Sequence, residues 1–297
     1  MLPSMTGTLV ICATPIGNLD DASPRLQATL ASADVVFAED TRRTGKLLER
    51  FGIDAELRSF FVGNEADRSV EMRSRLERGE TIALVSDAGM PAISDPGVAA
   101  VRVARSVDAQ VSVIPGPSAV TSAVAASGFG GDRFVFEGFL PRGGDDRKRR
   151  VDAIAAEGRP VVVFSAPGRV AADLADLAGA AGPGRMVAVA REMTKLHEEI
   201  WSGTLEDAIR RWSKVVEPRG EFTLVLESRP TEPPNMPAAL VAVEERIADG
   251  ERLSNAVREV AADTGVSRRI LYEAALAARA ASRRSESGDT TGTLPGP

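Results

Sequence analysis

Cysteine and histidine each occur only once in this chain of 297 residues, as Cys12 and His197. A single cysteine cannot form an internal disulfide, and neither a cysteine-rich zinc site nor a site with several histidines can be assembled. A single imidazole also disfavours most nucleophilic hydrolase mechanisms, because at most one histidine is present for acid-base catalysis. We therefore expect no disulfide and no metal site.

Long apolar runs and nucleotide-binding glycine motifs are missing as well. No stretch reaches the length of a membrane span, and no charged leader with a signal-type apolar core precedes the first strand, so we expect a cytoplasmic protein with no membrane partner. Neither a P-loop nor a G-x-G-x-x-G dinucleotide motif is present. The net charge of -6 argues against unspecific coating of nucleic acid, but it leaves room for a local basic face.

The first half of the chain alternates short apolar runs with helical patterns. The runs lie at residues 9–13, 34–38, 81–86 and 111–114, and the helical patterns include residues 24–33 and 69–78. Such alternation predicts βαβ units and a mainly parallel sheet. A second α/β layer follows, in which strands succeed one another more directly, and this predicts mixed strand pairing.

The overall prediction is an α/β protein with a helical extension. We expect one α/β domain over residues 1–116, a second over residues 117–229, and a proline-rich linker at residues 230–237. Residues 238–281 have the pattern of helices arranged like a helix-turn-helix, with nearly balanced charge. Residues 282–297 are mostly small and polar, which predicts disorder.

The most informative stretch is residues 86–97, which read S-D-A-G-M-P-A-I-S-D-P-G directly after an apolar run. A β-branched run that ends in Ser, Asp, Gly and Pro is typical of a buried parallel strand followed by a stiff loop, which is where open α/β sheets bind ligands. A turn with self-capping side chains is the alternative for any single part of it. Twelve such residues together favour a ligand-binding loop.

Five more sequence blocks accompany this loop along the chain. They are A-T-P-I-G-N-L at residues 13–19, E-D-T-R-R-T at 39–44, P-G-P-S-A at 115–119, F-E-G-F-L-P-R at 136–142 and R-E-M-T-K-L-H-E-E at 191–199. Together they resemble the tetrapyrrole-methylase superfamily, in the form carried by the bacterial 16S ribosomal RNA cytidine 2'-O-methyltransferase I family. The resemblance implies two α/β domains of the tetrapyrrole-methylase type with a cofactor cleft between them, plus a small helical C-terminal extension.

The resemblance also implies S-adenosylmethionine as the cofactor, held in that cleft in a folded pose. Because this methyl donor is already activated, transfer needs no metal, redox group or covalent intermediate. The positions that match the family's cofactor site are Pro15, Asp87, Met90, Ser118, Ala119, Ala166 and Ala190. Asp87 is expected to accept hydrogen bonds or to offset the sulfonium charge, and the others mostly to supply shape.

Two groups of residues are candidates for the proton transfer. A ribose hydroxyl is a poor nucleophile, so a nearby carboxylate or neutral amine would help by taking its proton. Glu39 and Asp40 lie beside two arginines that are able to hold phosphate. The competing arrangement is Arg191 and Glu192 with Lys195, and an ion-pair network without catalytic function is the alternative for either group.

Basic residues cluster in two places that suit contacts with RNA phosphates. The candidates are Arg42 and Arg43, with Lys46 close by, and then Arg142, Arg147, Lys148, Arg149 and Arg150. Solvated helix faces without a ligand are the alternative for each cluster.

The leading hypothesis is an S-adenosylmethionine-dependent enzyme that methylates the ribose 2'-hydroxyl of a cytidine in 16S ribosomal RNA, as a homodimer acting on the assembled small subunit. Methylation of a tetrapyrrole carbon or another small molecule is the alternative within the superfamily, but the basic group at residues 147–150 and the helical extension favour RNA. A non-catalytic ribosome-binding protein that keeps the cofactor cleft is an alternative of another class. Turnover, as opposed to binding alone, separates it from an enzyme.

Overall fold

The computed structural model describes residues 6–213, 219–229, 235–264 and 266–287. The chain forms two compact units, residues 1–229 and residues 230–297. The first unit contains two five-stranded sheets covered by helices, and the described residues of the second are helical. The expected α/β class is therefore confirmed. No helix in the described ranges is both long enough and apolar enough to cross a bilayer.

The first sheet is entirely parallel. Its strands are β1 (Thr8–Cys12), β2 (Val35–Ala38), β3 (Leu57–Ser59), β4 (Thr81–Val85) and β5 (Gln110–Ile114). They lie in the order β3-β2-β4-β1-β5, with all neighbours parallel. Carboxyl ends of parallel strands share one edge of a sheet, so the loops that follow β1, β2 and β4 are neighbours.

Helices cover both faces of this sheet, which is why its central strands read as almost continuous apolar runs. The helices are α1 (Pro24–Ser32), α2 (Thr41–Phe51), α3 (Glu65–Glu77) and α4 (Val98–Ser106). Leu26 of α1 and Leu48 of α2 pack on one face, and Met72 of α3 and Ala104 of α4 pack on the other.

The second sheet has the mixed pairing expected from the sequence. Its strands are β6 (Val135–Phe139), β7 (Val161–Ser165), β8 (Met186–Arg191), β9 (Glu199–Thr204) and β10 (Phe222–Leu226). They lie in the order β6-β7-β10-β8-β9, and only β6 and β7 are parallel.

Four helices belong to the second sheet. They are α5 (Ala119–Ser127), α6 (Gly144–Ala156), α7 (Val170–Ala181) and α8 (Leu205–Trp212). The last three share one core with the sheet, whereas α5 packs through Val120 and Val124 in a separate cluster with Val162 and Val225. Ile16, from the loop after β1, joins that second cluster. Residues of the first layer thus pack directly against the second.

The second unit is a group of three helices around a small apolar core. They are α9 (Met236–Ala248), α10 (Leu253–Thr264) and α11 (Arg268–Ser287), and the core includes Val243, Val257 and Leu271. Helix α9 begins within the expected linker, of which residues 230–234 lie outside the described residues. Helix α11 continues through Ser287, so the first six residues of the segment expected to be disordered are helical. Residues 288–297 lie outside the described part of the chain.

Candidate active site

Three of the motif loops meet where β1, β2 and β4 end. The Thr14 N–H donates to the Gly89 carbonyl at 2.9 Å, and the Gly89 N–H donates to the Thr14 carbonyl at 3.1 Å. The Asp40 N–H donates to Asp87 Oδ1 at 3.1 Å, and the Asp87 N–H donates to Glu39 Oε2 at 3.3 Å. These bonds fix the loops at residues 13–19, 39–44 and 86–97 against one another.

The loop at residues 86–97 contains unusual backbone conformations. Ala92 and Ser94 have φ angles of 67° and 63°, in the left-handed region that residues with a Cβ rarely adopt. Each such residue costs roughly 1–3 kcal/mol and persists only where the surroundings fix it, commonly at ligand sites. Gly89, with φ 78°, adopts the same region without that cost. The strain supports a functional loop over an ordinary turn.

A cavity of about 380 Å³ lies between this loop and the second sheet. Its volume is in the range of small-molecule sites, roughly 300–1,000 Å³. The predicted catalytic and cofactor-binding residues that line it are Glu39, Asp87, Met90, Ser118, Ala119 and Ala166, and the predicted RNA-binding residue Arg43 lines it too. Ile16, Phe139 and Phe164 add apolar surface. The cavity therefore suits a ligand with both apolar and charged parts.

Two residues expected at the cofactor do not line this cavity. Ala190 is only 3% exposed and packs with Ala188 and Val225 in the α5 core, so it supports the sheet behind the cavity and does not line it. Pro15 lines a smaller neighbouring cavity of about 180 Å³. The motifs locate the end of β8, but the Ala190 side chain packs against α5 and not towards the cavity.

Four carboxylates line the main cavity: Glu39, Asp87, Asp95 and Glu221. Asp87 is paired with Arg43, with 3.2 Å between NH1 and Oδ2. Among the residues described, neither Glu39 nor Asp95 has a basic side chain within ion-pair distance. The cavity therefore carries uncompensated negative charge, which favours a cationic ligand. Neither Asp95 nor Glu221 was predicted to belong to the site, although Asp95 lies within the motif at residues 86–97.

Burial and neighbouring charges shift the pKa values of Glu39 and Asp95 in the cavity and of Asp40 beside it. Burial raises the pKa of Asp95 to about 6, and the charge of Glu39 adds to the effect. Burial also raises the pKa of Glu39; the hydrogen bond from the Asp87 backbone opposes this, and the Asp87 and Asp40 charges reinforce it. Hydrogen bonds from Arg42 instead hold the pKa of the Asp40 carboxyl well below its usual range. Glu39 and Asp95 are thus better proton acceptors than Asp40.

Asp95→Asn is expected to stabilise the protein at about pH 8 and to lose that effect in acid. A carboxyl whose pKa rises from 3.8 to about 6 on folding is ionised in both states above pH 6, and burial of its charge then costs on the order of 3 kcal/mol. The cost declines as the pH falls from about 6 through 3.8, because the carboxyl becomes protonated in both states. Urea unfolding of both proteins at about pH 8 and about pH 4 measures the difference.

Asp87→Asn is the matched control for this stability measurement. Asp87 is paired with Arg43 and accepts the Asp40 N–H, so removal of its charge should destabilise the protein at about pH 8. An Asp95→Asn protein no more stable than wild type at that pH would show that burial of this carboxylate has no cost.

Lys195 is held in an ion-pair network between β8 and β9. Its Nζ donates to Glu192 Oε1 at 2.8 Å and to Glu221 Oε2 at 3.1 Å. Burial works against the ammonium, but the bonds to these two carboxylates outweigh it and raise the pKa of Lys195. Arg191 pairs separately with Glu199 at 3.7 Å. Lys195 therefore keeps its proton and is connected to the main cavity through Glu221.

The Lys195 loop also packs closely on the loop after β1. The Asn18 N–H donates to Thr194 Oγ1 at 3.0 Å. A Cβ on Gly17 would lie 2.5 Å from Lys195 Cγ and 2.7 Å from Thr194 Oγ1, so a side chain there would displace the loop. This close approach explains why glycine stands in the block at residues 13–19.

The sequence is similar to those of known proteins. Residues 8–209 match the family model described as Tetrapyrrole (Corrin/Porphyrin) Methylases. A Synechocystis protein named Ribosomal RNA small subunit methyltransferase I is 42% identical over 273 residues, which cover 91% of this chain and 98% of the relative. A Thermotoga maritima protein of the same name is 46% identical over 223 residues, which cover 75% of this chain and 99% of the relative. The chain belongs to the ribosomal RNA small subunit methyltransferase I family. The resemblance carried by the motif blocks is confirmed, and the protein is a methyltransferase.

A solved structure of another methyltransferase has the same fold. Uroporphyrin-III C-methyl transferase from Thermus thermophilus, complexed with S-adenyl homocysteine, superposes with a TM-score of 0.53 at 16% identity, over 74% of this chain and 97% of that chain. At this identity the likeness concerns the fold alone, and it agrees with two α/β layers of the tetrapyrrole-methylase type.

Three of the basic residues expected to contact RNA are exposed on this methyltransferase. The side chains of Arg42 and Arg43 in α2 are 87% and 66% exposed, at the same sheet edge as the main cavity. Arg142 is exposed just before α6. These positions are accessible to a phosphate backbone.

Arg147 does not lie on an RNA-accessible surface, contrary to the expectation. It is 8% exposed, and its guanidinium donates to Asp173 Oδ1 at 2.8 Å, to Asp176 Oδ2 at 2.6 Å and to the Pro141 carbonyl at 2.9 Å. Asp173 is itself 3% exposed and accepts a hydrogen bond from Ser165, which lines the main cavity. Arg147 is therefore an internal structural residue, because α6 turns this position towards α7.

The next three residues are exposed and, like Arg42 and Arg43, already form ion pairs. Lys148, Arg149 and Arg150 contact Asp152, Asp146 and Glu137, respectively. Each pair is solvent-accessible, so RNA phosphate can compete for the cation at little cost. The basic run at residues 147–150 therefore carries less uncompensated positive charge than its sequence suggests.

Proposed function

We propose that this protein transfers a methyl group from S-adenosylmethionine to the ribose 2'-hydroxyl of a cytidine in 16S ribosomal RNA. The observation that carries the proposal is an acidic, partly apolar cavity formed by the family's motif loops, in a chain 42% identical over 91% of its length to a protein named for ribosomal RNA methylation. The same-named Thermotoga maritima relative supports the same substrate.

The walls of the main cavity fit S-adenosylmethionine chemically. When bound, this cofactor supplies an activated methyl group on a positively charged sulfur. We assign Asp87, Met90, Ser118, Ala119 and Ala166 to holding it, since all five line the cavity. The uncompensated carboxylates would offset the positive charge. The homologous fold that holds S-adenyl homocysteine in the Thermus thermophilus enzyme supports this cofactor class.

We assign Glu39 as the group that accepts the proton of the acceptor hydroxyl. It lines the cavity, and its raised pKa makes it a stronger base than an ordinary carboxylate. Asp40 suits this function less well, because it caps α2 and its charge is held by Arg42. Lys195 also suits it less well, because its two carboxylate partners keep it protonated. We infer that Lys195 positions Glu221.

RNA is favoured over a tetrapyrrole as the acceptor. The likeness to the uroporphyrin enzyme is 16% identity, whereas the relatives named for ribosomal RNA reach 42% and 46%. The proposed RNA contacts are Arg42, Arg43, Arg142, Lys148, Arg149 and Arg150. We further propose that the enzyme works in the cytoplasm as a homodimer on the assembled small subunit.

The decisive experiment supplies methyl-labelled S-adenosylmethionine and purified protein to small subunits from cells that lack the gene. We expect label on the 2'-oxygen of one cytidine of 16S RNA, located by mass mapping, and no transfer to uroporphyrinogen III. Transfer to the porphyrinogen would establish the tetrapyrrole alternative. Binding of particle and cofactor without turnover would establish a non-catalytic protein. Calorimetry with S-adenosylhomocysteine in a chelator should show undiminished binding, since no metal is proposed.

A further inference from the structure

A second, smaller cavity lies beside the main cavity, which we now call the cofactor cleft, at the carboxyl end of the first sheet. It measures about 180 Å³ and is formed by the loop after β1, the first turns of α2 and the start of the loop after β4. The polar residues that line it are Thr14, Arg43, Thr44, Lys46, Ser86 and Asp87. This volume is below the usual range for a whole drug-sized ligand, roughly 300–1,000 Å³, so it suits a fragment such as a sugar phosphate.

Two residues join this cavity to the cofactor cleft. Arg43 and Asp87 line both, and their side chains are paired at 3.2 Å between NH1 and Oδ2. The Asp87 N–H also donates to Glu39 Oε2, so the proposed proton acceptor lies next to the Arg43–Asp87 pair that both cavities share. A group bound in the smaller cavity is thus next to both the methyl donor's cleft and the base.

The charge of the smaller cavity is opposite to that of the cleft. Arg43 and Lys46 are three residues apart on α2 and so face the same side of the helix. Lys46 forms no ion pair with any carboxylate in the residues described, and Asp87 is the only acid in the lining. Thr14 and Thr44, 2% and 4% exposed, contribute buried polar side chains. Two cations beside buried hydroxyl groups favour the binding of a phosphate ester.

We propose that this cavity binds the ribose phosphate of the acceptor nucleotide, with Lys46 and Arg43 on the phosphate. The proposal rests on the proposed function and adds to it the place where the acceptor enters. Occupation from this side brings a ribose hydroxyl towards Glu39 and the cleft without displacing the cofactor.

Lys46→Gln, with Arg50→Gln as the matched control, tests the proposal on the full chain. Arg50 is an exposed cation in the last turn of the same helix and does not line the cavity. We expect Lys46→Gln to raise the KM for small subunits roughly tenfold and to reduce the log-log salt slope of binding by about one. Cofactor affinity should be unchanged, Lys46→Arg should restore most of the binding, and Arg50→Gln should match wild type.

The outcomes separate this inference from the proposed function. A wild-type protein that methylates small subunits, together with a Lys46→Gln protein of unchanged KM and salt slope, would overturn the phosphate site and leave the function standing. A Lys46→Gln protein that loses cofactor affinity would assign the cavity to the cofactor instead. A wild-type protein without RNA methylation, but with a salt slope that falls in Lys46→Gln, would contradict the function while retaining the phosphate site.

Discussion

Glu39→Gln is expected to slow methyl transfer by roughly two to four orders of magnitude, the range for loss of one general base. The amide keeps the shape of the side chain and accepts the Asp87 N–H through its carbonyl oxygen, so the loops should stay together. What it loses is the ability to take a proton. Single-turnover rates with saturating small subunits measure the step, and affinities for cofactor and particle should remain near wild type.

Asp40→Asn is the matched control for the Glu39 prediction. Asparagine is as good an N-cap as aspartate, so α2 should persist, and the Asp40 carboxylate is already engaged by Arg42. Its single-turnover rate should stay within a few-fold of wild type. The pH dependence adds a second readout: the wild-type rate should rise with pH through the raised pKa of Glu39, and Glu39→Gln should lose this limb. Near-normal rates in both variants would make these acids structural and direct attention to Asp95, the other cavity acid with a raised pKa.

Most strands of the first sheet were predictable, because they are buried and therefore have continuous apolar runs, and the mixed pairing of the second sheet was also expected. Strand β3 was missed for the opposite reason. It has only three residues and is an outer strand of the sheet. Because Leu57, Arg58 and Ser59 are all partly exposed, no apolar run marks it. Helix α2 was recognised only as a basic cluster, because its sequence is strongly polar and contains Gly45.

The position of the site was predictable, but its complete set of acids was not. Motifs that follow parallel strands must meet at one edge, so Glu39 and Asp87 were expected near each other. Asp95 lines the cavity in a loop where Ala92 and Ser94 have positive φ angles, a backbone conformation that these residue types do not predict. Glu221 enters from the second sheet, which local sequence could not connect to the first.

The burial of Arg147 could have been predicted from its spacing along α6, although it lies within a run of cations. The buried residues of α6 are Arg147, Val151 and Ile154, which have the spacing of one helix face. Counting the run as four equivalent cations overlooked this stripe. The arginine stands where an apolar residue would be expected, and its acidic partners, Asp173 and Asp176, come from another helix.

Arg147→Ser is accordingly expected to destabilise the protein by about 3–5 kcal/mol, the cost of leaving a buried charge without its partner. Asp173 would keep only the Ser165 hydroxyl, and the melting temperature should fall on the order of 10 °C. Lys148→Ser is the control, since its pair with Asp152 is exposed and should contribute no more than about 1 kcal/mol.

A double variant isolates the cause of this loss. Adding Asp173→Asn to Arg147→Ser removes the unpaired charge and still offers Ser165 a hydrogen-bond partner, so much of the stability should return. Thermal unfolding of the two single variants and the double variant measures it. Equal, small effects for Arg147→Ser and Lys148→Ser would instead return Arg147 to the RNA-binding surface. Recovery in the double variant would show that α6 and α7 are joined at this point by charge compensation, next to the wall of the cofactor cleft.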